Sequence, residues 1–119
     1  MVVICQTWCG ACTHLKKKIA KDKYVKELAE CFNMVSLMGD DIPTPYVEPD
    51  LYPDGDYFPR ILFLSPDGEV HADITNPEAV KQKRTHLYSY WDCESLAISM
   101  AQAVRRFLEV SETKLEGNL

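Results

Sequence analysis

Two cysteines three positions apart, Cys9 and Cys12, are the residues of this sequence best suited to covalent chemistry. A thiolate attacks disulfides, and a second thiol nearby can displace what the first has captured. The pair sits in Trp8-Cys9-Gly10-Ala11-Cys12, directly after the apolar run Val2-Val3-Ile4-Cys5 and before a stretch in which Leu15 and Ile19 recur one helical turn apart. A cysteine where a strand feeds a helix faces unpaired amide donors and the positive end of the helix dipole, which favour thiolate over thiol. The placement therefore predicts a lowered pKa for Cys9. It also predicts that Cys9 is the exposed attacker and Cys12 the more buried resolver. Gly10 permits close approach of a partner's backbone, and Trp8 shields one side.

Other uses of such a pair fit less well. A structural zinc site usually takes four ligands, and here one close pair and His14 are at hand. Attachment of a c-type haem needs histidine directly after the second cysteine, where Thr13 stands. A structural disulfide, or two inert core thiols, stays open. The five cysteines, with Cys5, Cys31 and Cys93 unevenly spaced around the pair, do not suggest a disulfide framework. Cys5 is expected in the core near the pair; Cys31 and Cys93 read as small buried or half-exposed residues, the usual fate of free cysteine.

The elements that must position the pair can be read in outline. Val2–Cys5 reads as a strand buried on both faces, as in a parallel sheet. A helical stretch follows from about Gly10, with a break near Asp22, which reads as the cap of a second piece carrying Val25, Leu28 and Ala29. Phe32 to Met38 is β-prone, and strand, helix and strand make a parallel, right-handed unit. Gly39 to Tyr57 holds four prolines, six acidic residues and no basic one, and reads as one long loop. Arg60 to Leu64 reads as a third strand. Ser65-Pro66-Asp67-Gly68 reads as a tight turn and Glu69 to Ile74 as a fourth strand. Thr75 to Tyr90 is polar and irregular, with Tyr88, Tyr90 and Trp91 expected to cover the sheet edge. Asp92 then caps an amphipathic helix carrying Leu96, Met100, Ala103, Val104 and Phe107. The expected fold is α/β: a four-stranded mixed sheet in the order β-α-β then β-β-α, with helices on both faces. Residues 1–110 form one domain, and 111–119 a polar tail expected to fray.

Composition narrows the function further. The 119 residues carry a formal net charge of −5, and 46% are apolar, which suits one packed domain. Mild acidity argues against nucleic acid, because phosphate binding needs a dense basic patch. The lysines at 16, 17, 18, 21 and 23 read as a solvated helix face. No run of about 20 apolar residues suggests a membrane span. No secretory signal is visible, so the expectation is a cytosolic chain or one whose N-terminal segment has been removed.

Trp8-Cys9-Gly10-Ala11-Cys12 resembles the active site of thioredoxins and protein disulfide isomerases. Tyr57-Phe58-Pro59-Arg60-Ile61-Leu62-Phe63-Leu64, followed by Pro66-Asp67-Gly68-Glu69-Val70-His71, is similar to the small single-domain thioredoxin-like proteins of the endoplasmic reticulum, the thioredoxin domain-containing protein 12 and anterior gradient type. The resemblance covers about residues 1 to 109. It implies a thioredoxin-like fold, a cis Pro59 facing the cysteine pair, and an extended substrate pairing with the backbone of Phe58. Trp8, Gly10, Ala11, Phe58 and Pro59 then line the substrate site. It further implies glutathione as electron partner and the reticulum lumen as location, with the cytoplasm as the alternative. Many family members carry a buried acid six residues before the first cysteine, where this sequence has Val3. They also have a leading strand and helix, and members of the reticulum group end in a retrieval signal that the last four residues match poorly.

The reading is therefore a thiol–disulfide oxidoreductase acting on protein thiols and disulfides, a glutathione-coupled reductase or isomerase. It is expected to be a monomer with no bound metal or cofactor and no nucleic-acid or membrane partner. Two alternatives stay open: a client-binding, chaperone-like module in which the pair is incidental, and a cytosolic thioredoxin-like reductase served by a flavoprotein.

Overall fold

The computed structural model describes residues 1–117, and the side chains of residues 1–108. Strand β1 (Val2–Cys5) is buried along its whole length. It pairs in parallel with β2 (Val35–Met38) on one side and antiparallel with β3 (Arg60–Leu62) on the other. The order β2-β1-β3 places β1 at the centre of a three-stranded mixed sheet. A central strand loses water from both faces, which is why β1 carries no polar side chain except a thiol.

Between β1 and β2 run α1 (Gly10–Lys21) and α2 (Lys23–Ala29). Asp22 makes the break between them. It ends α1 in an extended conformation, and its carboxylate accepts the Val25 N–H at 2.9 Å as the N-cap of α2. The loop from 39 to 57 has no strand or α-helix, only single 3₁₀ turns at Gly39–Asp41 and Pro49–Leu51. After β3 come a short helix α3 (Pro77–Lys81) and the long α4 (Cys93–Gly117), whose start is capped by Asp92 accepting the Ser95 N–H at 2.7 Å. No described helix is long and apolar enough to cross a membrane.

Three expectations are corrected. The stretch 69–74 is not a full fourth strand. It makes a single antiparallel bridge, Val70 to Leu64, with the His71 N–H on the Phe63 carbonyl, and then turns away as the Ile74 N–H closes onto the His71 carbonyl. The outer edge of β3 is met instead by the carbonyl of Tyr88, which accepts the Ile61 N–H at 2.9 Å. Second, the two faces of the sheet differ. Val3, Cys5 and Ile61 pack against α1, α2 and α4, through Leu15, Val25, Leu96 and Met100. Val2, Ile4 and Leu62 pack against Leu51, Tyr88 and loop residues such as Ile42 and Tyr52, so loops rather than an α-helix cover that side. Third, α3 lies within the segment expected to be irregular: Asn76 caps it through the Glu78 N–H at 3.0 Å, and Pro77 takes the first helical position. The tail expected at 111–119 falls on residues whose side chains, and for 118–119 also the backbone, lie outside the described residues.

Candidate active site

Chain direction and a short turn bring the cysteines to the sheet. β1 ends at Cys5, the chain crosses Gln6-Thr7-Trp8, and the Cys9 N–H closes onto the Gln6 carbonyl at 3.2 Å. Cys9 is the N-cap of α1: its backbone is extended and its Sγ accepts the Cys12 N–H at 3.2 Å. A thiol thus occupies the place where serine or aspartate usually satisfies a helix's free amides. Cys12 lies one turn inward and is the more buried of the two. All five cysteines are free thiols.

The exposure expected of Cys9 is not found. It is 7% exposed against 2% for Cys12, so it is the more accessible of two buried thiols. Its pKa is raised rather than lowered. Burial raises it most and the Cys12 side chain adds to this, while the amides of Cys12 and Ala11 oppose. Desolvation penalises the thiolate more than two amide donors favour it. Burial also raises Cys12, where contact with the Cys9 side chain and the Gln6 amide pull down and contact with the Cys5 thiol pushes up. Both cysteines thus favour the neutral thiol over the thiolate.

Around the pair the surface is open. Trp8 is 74% exposed, and Gly10 and Ala11 are exposed beside it. A Cβ at Gly10 would meet nothing within 4 Å, so glycine there relieves no internal clash. The Trp8 ring meets the Phe58 ring edge-on at 5.7 Å between centroids. The Phe58–Pro59 peptide bond is cis, and Pro59 is buried. His14 is exposed on α1. Among the described residues no group of three or more His, Cys, Asp or Glu converges to hold a metal ion.

One important residue was not singled out from the sequence. Arg60 follows Pro59, is fully buried, and stands opposite Ile4 in the β1–β3 register. Its Nε donates to the Leu51 carbonyl at 3.1 Å, and its Nη1 to the Tyr57 carbonyl at 2.6 Å and to Asp56 at 3.3 Å. Its Nη2 has no hydrogen-bond partner, and the guanidinium lies 4.4 Å over the Tyr52 ring, with Phe58 at 5.4 Å. Arg60 therefore ties the acidic loop to the strand that begins at the cis-proline. Tyr57 and Asp54 reinforce the tie: Tyr57 donates to the Asp54 carboxylate, which accepts the Leu87 N–H at 2.8 Å. The one legible signal was a charged residue heading an otherwise apolar strand.

A family model described as thioredoxin-like matches residues 1–66. Among curated proteins, anterior gradient protein 3 of Mus musculus is 36% identical over 98 residues, covering 82% of this chain and 54% of its own length. Anterior gradient protein 2 homolog of Homo sapiens is 34% identical over 97 residues, covering 79% of this chain and 51% of its own. Anterior gradient protein 3 of Xenopus tropicalis is 35% identical over 97 residues, covering 81% and 54%. The chain spans about half the length of the curated relatives it matches.

Proposed function

The chain belongs to the thioredoxin-like family, and from that premise we propose that it is a thiol–disulfide oxidoreductase acting on protein disulfides through Cys9 and Cys12. The observation that carries the reading is a helix-capping thiol, Cys9, that accepts the N–H of a second cysteine one turn on, beside an exposed tryptophan whose ring meets Phe58 edge-on. In the first step Cys9 loses its proton and attacks one sulfur of a substrate disulfide. The substrate S–S bond breaks, and the departing sulfur takes up a proton. In the second step the Cys12 thiolate attacks Cys9 Sγ and releases the second substrate thiol. The substrate is reduced by two electrons and the pair oxidised by two, leaving a Cys9–Cys12 disulfide.

Glutathione returns the pair to the dithiol, which makes the chain a glutathione-coupled reductase or isomerase, and the setting is the endoplasmic reticulum lumen. The physical grounds for a protein substrate are the exposed, uncharged approach formed by Trp8, Gly10 and Ala11, with the half-buried Phe58 edge-on to Trp8, which suits an extended backbone. The test is the rate at which the protein, with reduced glutathione, reduces a model protein disulfide. Cys9→Ser should bring this to the uncatalysed level. A Cys9→Ser variant as active as the parent contradicts the reading.

A further inference from the structure

The segment Lys81-Gln82-Lys83-Arg84-Thr85-His86 holds three fixed cations, a histidine and no acid, in a chain whose net charge is −5. All six residues are exposed. The backbone that carries them is held in one shape. The Lys83 N–H closes onto the Val80 carbonyl at 3.1 Å and the Arg84 N–H onto the Ala79 carbonyl at 2.9 Å, the pattern that ends a helix on a left-handed residue. That residue is usually glycine; here it is Lys83, with φ 56°. The Arg84 guanidinium lies 4.7 Å from the centre of the Trp91 ring, and its Nε donates to Gln82 Oε1 at 2.9 Å. Stacking holds the plane of the guanidinium and leaves its edge to donate. Among the described residues neither Lys83 nor Arg84 forms an ion pair.

Lys83, Arg84, Thr85, His86, Ser89 and Trp91 line an open hollow of about 370 Å³ with no carboxylate in its wall. The acids near it in the chain or by contact have other partners: Glu78 accepts from Gln82 Nε2 at 2.8 Å, and Asp54 from the Leu87 N–H at 2.8 Å. Two contacts tie the hollow to the elements of the dithiol. His86 stacks on Tyr57 at 4.0 Å between ring centroids, and Tyr57 precedes Phe58, whose ring meets Trp8. The Trp91 carbonyl accepts Lys18 Nζ at 3.0 Å, from the helix that Cys9 caps.

We propose that this hollow receives a carboxylate side chain of the substrate protein, so that disulfides flanked by acidic residues are the preferred substrates. This rests on the oxidoreductase reading and names its substrate class. The planar guanidinium of Arg84 donates to the carboxylate oxygens, the Lys83 ammonium adds a second charge, and the Thr85 and Ser89 hydroxyls are neutral donors. Asp56, largely exposed next to Tyr57, repels such a segment, so the preference is carried by the local pair of cations and not by the net charge.

The test compares two synthetic peptides, each closed by one intramolecular disulfide and identical except for two glutamates or two glutamines beside one cysteine. Reduction of each by the full chain with reduced glutathione gives kcat/KM. The expected ratio, glutamate over glutamine, is about tenfold at low salt, mostly in KM, and falls toward one at about 0.5 M salt, where exposed charges are screened. In Lys83→Gln/Arg84→Gln the ratio should fall to about one, and in Lys83→Glu/Arg84→Glu below it. Because both rates are taken on one protein, a general loss of activity does not move the ratio. Equal rates on the two peptides in the parent, or a preference that survives in the glutamine variant, overturn the proposal while the oxidoreductase reading stands. A glutamine variant that raises KM for glutathione and leaves the peptide ratio intact also overturns it, since the hollow then serves the free tripeptide's carboxylates. If the parent reduces neither peptide, both fall.

Discussion

The proton on Cys9 is held by burial and by the neighbouring Cys12 thiol, against two amide donors. Because the pKa is raised, the thiolate fraction keeps growing past the ordinary thiol range of about 8.5. The rate of Cys9 alkylation by iodoacetamide should therefore still climb between about pH 8 and pH 10, about tenfold per unit at first. A plateau below pH 8 would show that the helix terminus outweighs burial. Val3, 8% exposed in the same core cluster, offers no carboxylate to take the proton of Cys12. Resolution of the mixed disulfide should lag its formation and accelerate with pH. Val3→Glu should speed it at neutral pH, at a stability cost of several kcal/mol for the buried acid. Rapid-quench kinetics across pH 6 to 9 separates the two steps, and a pH-independent second step in the parent would mean another group carries the proton.

Among the elements, the acidic loop bears on the site because Arg60 ties it to the strand that begins at the cis-proline. Arg60→Ala removes donors from two backbone carbonyls and the stem that packs under Tyr52. It should cost about 2–4 kcal/mol, nearly all from those carbonyls and packing, since Asp56 is largely exposed. Denaturant unfolding measures the loss; an unchanged midpoint would leave the anchoring role unsupported. Asp22→Ala, which removes the cap of α2, should cost about 1 kcal/mol by the same measurement. The elements legible in the sequence were those whose signal is local: the apolar run of β1, the Asp22 and Asp92 caps, and the turn at 65–68. α3 was missed although Asn76-Pro77-Glu78 carries a cap and a first-turn proline, because five residues give no apolar period. The fourth strand was overread because the alternation of 69–74 does not show where pairing stops. Cys9's burial was illegible for a different reason: it comes from packing into the core cluster with residues distant in sequence such as Ile61, Tyr90 and Leu96, which is tertiary.

For the molecule as a whole, the buried thiols and phenols set an alkaline limit. Tyr57 and Tyr90 are pushed well up, chiefly by burial, and Cys9 and Cys12 are raised too. Each raised group favours the folded state fully below its unfolded pKa, and that contribution is lost as pH rises through the folded value. The unfolded chain therefore ionises first, and stability should fall steadily above about pH 9, where free thiols and then phenols titrate. Thermal melts from pH 7 to 11 should show this decline, steeper than in Tyr90→Phe, and a flat profile would contradict the burial of these groups. The fold has one helix-covered face and one loop-covered face, and the dithiol opens at the end of the central strand where both meet Phe58. The oxidoreductase reading rests on that pair. Its most direct test is capture by Cys12→Ser, mixed with a disulfide-bonded substrate protein, quenched in acid and mapped by mass spectrometry. The expected result is a covalent one-to-one adduct through Cys9 that persists until a reductant is added. No adduct, or one formed only through the exposed Cys31, would contradict it.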